Sequence, residues 1–282
     1  MILGDAVLKS AAFGVDRESV DERVHNRSFV DVHAHVLAGI DDGPVDDGES
    51  DALLDTLAEQ GVTTVVATPH VDARFPPQPA EIAARVRALR ERRPGRPNVL
   101  AGAEVHPGRL DEVIEAGIER FTLGGAGTLL VEAAADVPPT LLEHCVRRVE
   151  GAGARCLFAH AERSRAFQAD DGLARDLVAR GARLQVNANS IRSGSGDRGR
   201  LAWHLLELGL VSIVASDSHA LGLRPPRLSE AADELARRLD EDAVHTLTYA
   251  NPTALCDGHD APPFQPTSTA RRRTWLRRAG RR

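Results

Sequence analysis

The sequence predicts an α/β fold with a parallel sheet, closed as a barrel of about seven strand–helix units; an open doubly wound sheet is the alternative. Three observations carry this. Short, β-branched apolar runs alternate with longer amphipathic stretches along most of the chain. Several runs are continuously apolar, as strands covered on both faces must be. Each run also leads into a His, Glu, Asp or Asn, and barrels build their sites at the C-terminal strand ends.

In chain order the strands are expected at residues 28–32, 62–68, 99–105, 128–131, 156–159, 183–186 and 211–215. Helices are expected between them. Residues 50–60 start on a Ser50 cap and stop at Gly61, and residues 80–93 stop at Pro94. Residues 140–150, 173–180 and 200–208 stop at Gly151, Gly181 and Gly209. The expected organisation is a loosely attached leader over residues 1–27, one domain over 28–261, and a flexible basic tail over 262–282.

Composition narrows the function. The chain has 282 residues, 42% apolar and 27% charged, which is ordinary for a globular domain. Its net charge is −6, yet the seven arginines after residue 261 give the tail +7 and leave −13 for the body. An acidic body argues against nucleic acid as the partner. No apolar run approaches the ~20 residues of a membrane span. Asp16, Glu18, Asp21 and Glu22 stand where a signal peptide needs an apolar core. Cys145, Cys156 and Cys256 form no CxxC pair, as expected of a cytoplasmic protein. The tail arginines around Thr274, Trp275 and Leu276 have two readings, a solvated end or a segment that touches an anionic membrane surface.

The strand ends carry the chemistry. The first leads into Asp31-Val32-His33-Ala34-His35, and the second into Thr68-Pro69-His70. The next ends carry Glu104, Glu132, His160 and Asn187, and the last gives Asp217-Ser218-His219. Alternation with period two puts His33 and His35 on one side of their strand, where both can reach one metal; Asp217 and His219 repeat the pattern. The loop Gly39-Ile40-Asp41-Asp42-Gly43 adds a carboxylate beside the first pair. Imidazoles and carboxylates without thiolates suit Mn, Fe, Zn or Mg. His25, His144, His204, His245 and His259 read as structural or exposed, and His106 shares the side of Glu104.

These segments resemble the PHP (polymerase and histidinol phosphatase) superfamily, and within it the bacterial capsule-biosynthesis tyrosine phosphatases of CpsB/CapC/YwqE type. The resemblance runs over about residues 28–255, through DVHAHVLAGIDDG, TPH, GAEVH, LLVEA, FAHAERSRAF, VASDSH and NPTAL. It implies a distorted (β/α)7 TIM-like barrel (the PHP fold) holding three divalent cations, usually manganese. By motif the metal ligands would be His33, His35, Asp42, His70, Glu104, Glu132, His160, Asp217 and His219. The phosphate-binding arginines would be Arg163 and Arg224. The implied activity is hydrolysis of phosphotyrosine on a bacterial tyrosine kinase that controls capsule or exopolysaccharide synthesis. This sequence departs from the family at Ala161, where a proline is usual, at Ala133, where an aromatic is usual, and at Ala188-Asn189-Ser190.

The mechanism expected on this reading is in-line attack by a metal-bound hydroxide, without a phosphoenzyme. His160 or Asp217 would assist the leaving group. A cysteine phosphatase needs Cys, five residues, then Arg; the sixth positions after the three cysteines are Gly151, Glu162 and Pro262. A histidinol-phosphatase-like small-molecule phosphatase and a metal-dependent amidohydrolase are the alternatives. The GxGxxG match at residues 194–199 reads as a flexible loop over the site mouth rather than a dinucleotide site.

Overall fold

The computed structural model describes residues 27–76, 78–95 and 97–267. The expected leader up to residue 26 and the tail from residue 268 lie outside the described residues. Among the described residues there are nine strands: β1 (Phe29–Ala34), β2 (Val62–Ala67), β3 (His70–Val71), β4 (Asn98–Ala101), β5 (Glu104–Val105), β6 (Thr128–Glu132), β7 (Arg155–Ala159), β8 (Arg183–Asn187) and β9 (Ile213–Ala215). Every strand pair is parallel, in the orders β1-β2-β4 and β3-β5-β6-β7-β8-β9. The expected α/β class and parallel pairing are therefore observed.

The ladder continues across both sheet breaks. Gly102 N donates to Ala67 O and Glu104 N to Pro69 O, so β2 runs into β3 alongside β4 running into β5. The one run expected over residues 99–105 is thus two strands. Gly102 sits at its break because a Cβ there would lie 2.9 Å from Val66 Cγ1. Beyond β9, Ser218 bridges in parallel to Ala34; Asp217 N donates to His33 O and His35 N to Ser218 O, each at 2.8 Å.

The strands separate two apolar clusters. Leu129, Val131, Phe158 and Val214 pack outward with the helices. Their neighbours Leu130, Leu157, Ala159, Ile213 and Ala215 join Val30, Val32 and Val66 in a second cluster. This is the period-two division of a sheet buried on both faces.

β1 breaks the period where it matters. Asp31 pairs with Val65 but Ala34 with Ala67, so β1 spends one more residue than β2. Such a bulge re-aims side chains. Val30 and Val32 face the second cluster, whereas Ala34 joins the outward one. His33 and His35 are thereby turned to the enclosed side.

Two helix starts differ from expectation. The first helix is Asp47–Glu59, capped by Asp46, which accepts from Glu49 N. Ser50 lies inside it, buried, with its hydroxyl donating to Val36 O. Asp46 reaches the free N–H groups one turn earlier, so it takes the cap. The glycine-rich stretch is not a free loop: Gly196 opens the helix Gly196–Glu207. The remaining helices shift by a residue or two, to Pro79–Arg92, Pro139–Gly151 and Asp171–Ala179. Among the described residues no helix is long and apolar enough to cross a membrane.

Candidate metal centre

The C-terminal strand ends bring the sequence-selected residues together. His33 and His35 are fully buried. His33 Nδ1 lies 3.2 Å from Gln185 Oε1, and His35 Nδ1 lies 2.6 Å from Asp41 Oδ2. Both partners are acceptors, so each Nδ1 carries a proton and each Nε2 is the atom left to meet a metal. Those Nε2 atoms face Glu104 Oε2 at 3.2 and 3.4 Å and Asp217 Oδ1 at 3.6 and 3.7 Å.

Glu104 is the hub. Its Oε1 lies 2.7 Å from His160 Nε2, and its Oε2 lies 3.2 Å from His70 Nδ1. His70 Nε2 and His219 Nε2 approach Asp42 Oδ1 at 3.4 and 3.2 Å, and the His219 ring stacks 3.9 Å from His35. Three groups with metal-ligating spacing result: His35, Asp42, His70 and His219; His33, His35 and Asp217; and His33, Glu104 and His160. Glu132, at the end of β6, belongs to none of them.

The residues fit metal ions by a direct test. His33 Nε2, His35 Nε2, Glu104 Oε2, His160 Nδ1 and His219 Nε2 are buried without a hydrogen-bond partner. Each such atom costs about 1–3 kcal/mol, and so many on neighbouring side chains call for a common ligand. The donors are imidazole nitrogens and carboxylate oxygens, the set that holds divalent first-row cations or magnesium.

The charge balance agrees. Burial pushes the Glu104 carboxyl up, but His33, His160 and His70 outweigh it and hold it well below the usual range. Burial opposes a proton on His33 and His35; Glu104 with Asp217, and Asp41 with Glu104, raise both nonetheless. His70 is lowered by burial, and His219 by burial and then His35. Beside the His219 ring, Asp42 is held below the ordinary carboxylate range. Burial, reinforced by Glu104, lifts Glu132 to about 7.

Arg163 ends the single turn Ala161–Arg163 after β7, and Arg224 lies on the loop after His219. Both guanidinium groups reach Asp217, at 2.9 and 2.7 Å, and Asn187 Nδ2 donates to the same carboxylate at 2.6 Å. His160 (φ 34°) and Asp217 (φ 51°) are the non-glycine residues with left-handed backbone among those described. Strain of this kind gathers at functional sites.

Several residues that orient the site escaped the sequence reading. Asp31 accepts from Ser216 N, Ser216 Oγ and His33 N, and so holds the Asp217 turn. Of the two loop acids, Asp42 faces the imidazoles while Asp41 orients His35. Gln185 serves both His33 and His160 N. A signal for Gln185 existed: it stands two residues before Asn187 and so shares its face of β8. His106 accepts from Gly108 N and joins none of the three groups. His204 pairs with Asp171, and His25 lies outside the described residues.

The cysteines stand away from this chemistry. Burial pushes the Cys145 and Cys256 thiols up to about 12, and Cys156 well above its ordinary value. Native protein at pH 8 should therefore react slowly with a thiol reagent, and all three thiols should react after denaturation. A thiol count before and after adding guanidinium checks this.

A family model described as capsular polysaccharide synthesis, CpsB/CapC, matches residues 29–257. The tyrosine-protein phosphatase CpsB of Streptococcus pneumoniae is 28% identical over 238 residues, covering 80% of this chain and 98% of that protein. The tyrosine-protein phosphatase YwqE of Bacillus subtilis is 27% identical, covering 78% and 89%. A solved structure described as YwqE from Bacillus subtilis and CpsB from Streptococcus pneumoniae, unique metal-dependent tyrosine phosphatases, superposes with a TM-score of 0.76 at 26% identity. It covers 85% of this chain and 99% of its own.

Proposed function

The chain belongs to the CpsB/CapC family of capsular polysaccharide synthesis proteins, and from that membership we propose a metal-dependent phosphatase that hydrolyses phosphotyrosine in proteins. Its proposed substrate is a bacterial tyrosine kinase of capsule or exopolysaccharide synthesis, met in the cytoplasm. The observation that carries the reading is the cluster of unpartnered imidazole and carboxylate atoms around Glu104, with Arg163 and Arg224 beside it on Asp217. The parallel ladder and the Ala34–Ser218 bridge support a distorted (β/α)7 barrel over residues 28–261.

His33, His35, Asp42, His70, Glu104, His160, Asp217 and His219, joined by Glu132, would hold three divalent cations, manganese first. Bound there, cations supply Lewis acidity that lowers the pKa of water and offsets phosphoryl charge. The chain supplies the rest. Arg163 and Arg224 offer paired N–H groups to the non-bridging phosphate oxygens. Asp217, itself fixed by a hydrogen bond from Asn187, holds both near the chamber. Tyrosine leaves as a phenolate of pKa ~10, so it needs little protonation. Burial pushes the Asp217 carboxyl up, but His33, Arg163 and His160 outweigh it and hold it well below the usual carboxylate range. Asp217 therefore has no proton to give, and His160 is the one of the two expected groups that can.

The test is hydrolysis of a phosphotyrosine peptide beside histidinol phosphate, by protein stripped of metal and restored with manganese, with His33→Ala as the control. Peptide turnover that needs both manganese and His33 supports the proposal. Turnover of histidinol phosphate alone moves the substrate, and no phosphate release with metal bound overturns the reading.

Metal binding itself should be pH-dependent. His33 and His35 hold protons more tightly than free imidazole in the metal-free protein. Their protons favour the metal-free fold at low pH, and this contribution fades as pH rises through the raised values. Manganese must displace them, so its addition near pH 7 should release protons and its affinity should fall on acidification. Calorimetry in two buffers of different ionisation enthalpy measures the release.

A further inference from the structure

A cavity of about 530 Å³ opens beside Asp217. Its inner wall is Arg163, Asn187, Ser216 and Arg224, three of which hold the Asp217 carboxylate. Its outer wall includes Leu223 and Arg198. The volume lies in the range of ~300–1,000 Å³ typical of ligand sites and exceeds what one phosphoryl group fills.

Two features of the outer wall need explaining. Leu223 is 79% exposed, although the described chain leaves few large apolar side chains in solvent. Arg198 has no ion pair or hydrogen bond among the described residues, whereas its neighbours do. Arg192 is engaged by Asn189 and Glu230, and Arg200 pairs with Asp197. The acid nearest to Arg198 in sequence is thus already neutralised.

Resting on the phosphatase reading, we propose that this cavity receives the tyrosyl side chain and its flanking residues, and that Arg198 selects substrates with a carboxylate next to the phosphotyrosine. Leu223 covers the aromatic ring. Arg163 and Arg224, nearer the chamber, take the phosphate. A guanidinium without a partner among the described residues, on the rim of an otherwise acidic protein, can read the sign of a flanking residue, while Asp197, which also lines the cavity, is paired with Arg200.

The experiment compares wild type, Arg198→Ala and Arg198→Glu on two phosphotyrosine peptides, with Glu or with Gln beside the tyrosine, and on p-nitrophenyl phosphate. Wild type should favour the Glu peptide about twofold to fivefold in kcat/KM, as an exposed charge pair allows. Arg198→Ala should erase the preference, Arg198→Glu should reverse it, and added salt should weaken it. Turnover of p-nitrophenyl phosphate, which has no flanking residue, should stay within about twofold. Leu223→Ser should raise KM for both peptides alike. An unchanged Glu-to-Gln ratio in both Arg198 variants overturns the proposal, as does an equal loss on all three substrates. Should wild type hydrolyse nothing, the phosphatase reading fails, and fluorescence polarisation of the labelled peptides decides the Arg198 preference by binding.

Discussion

Glu104→Gln should reduce hydrolysis of a phosphotyrosine peptide by about 10³-fold or more, because several kcal/mol of transition-state stabilisation depends on the chamber it organises. Glu104 is fully buried and meets four imidazoles, those of His33, His35, His70 and His160. Glutamine keeps the volume but removes the charge and turns one acceptor into a donor. All three candidate ligand groups would feel this at once, because each contains an imidazole that Glu104 meets: His35 and His70 in the first, His33 and His35 in the second, His33 and His160 in the third. Bound manganese, counted by elemental analysis, should fall with activity. The fold should survive, since the apolar clusters on either side of the strands are untouched. Full activity with normal metal content would contradict the role given to Glu104.

Asp31→Ala should act on stability first. The Asp31 carboxylate is fully buried and accepts from Ser216 N at 3.0 Å, from Ser216 Oγ at 2.5 Å and from His33 N at 3.3 Å. Alanine leaves these donors without an acceptor in a dry place, at a cost of about 3 kcal/mol. For a chain of this size that is about 5 °C in Tm. Burial already raises the Asp31 pKa; asparagine, which keeps shape and one acceptor without the charge, should cost less than alanine. Activity should drop as well, because Ser216 Oγ in turn accepts from Ser218 N and holds the left-handed turn at Asp217. A thermal melt beside a kinetic assay separates the two effects. An unchanged Tm would mean that the donors find other partners.

The two predictions differ in how visible their residues were. Glu104 was legible because a carboxylate at the end of an apolar run is costly unless something uses it. Six strand ends carrying His, Glu or Asp in one chain point to a common ligand. Asp31 stood in the same stretch and was passed over, because its partner Ser216 lies 185 residues away. Gln185 was missed for the same reason, its link to His33 spanning 152 residues. Helix starts fared worse than helix stops. Glycines at residues 61, 181 and 209 mark the stops as expected, since their positive φ is a local matter. Starts depend on which of several polar residues reaches the free N–H groups, and Asp46 took the place expected for Ser50.

By itself the sequence determined the strand–helix alternation, the buried character of the strands and the gathering of His, Asp and Glu at their ends. Those are properties of near neighbours: period, β-branching, and glycine at a helix stop. Tertiary structure alone decided which acid orients and which faces the imidazoles, that Glu132 joins none of the three tight groups, and that Arg163 and Arg224 converge on Asp217. It also placed the bulge in β1. Alternation puts His33 and His35 on one side of the strand, but it cannot say which side. The choice comes from β1 spending one more residue than β2 between paired positions, and register is a property of two strands, written in neither alone.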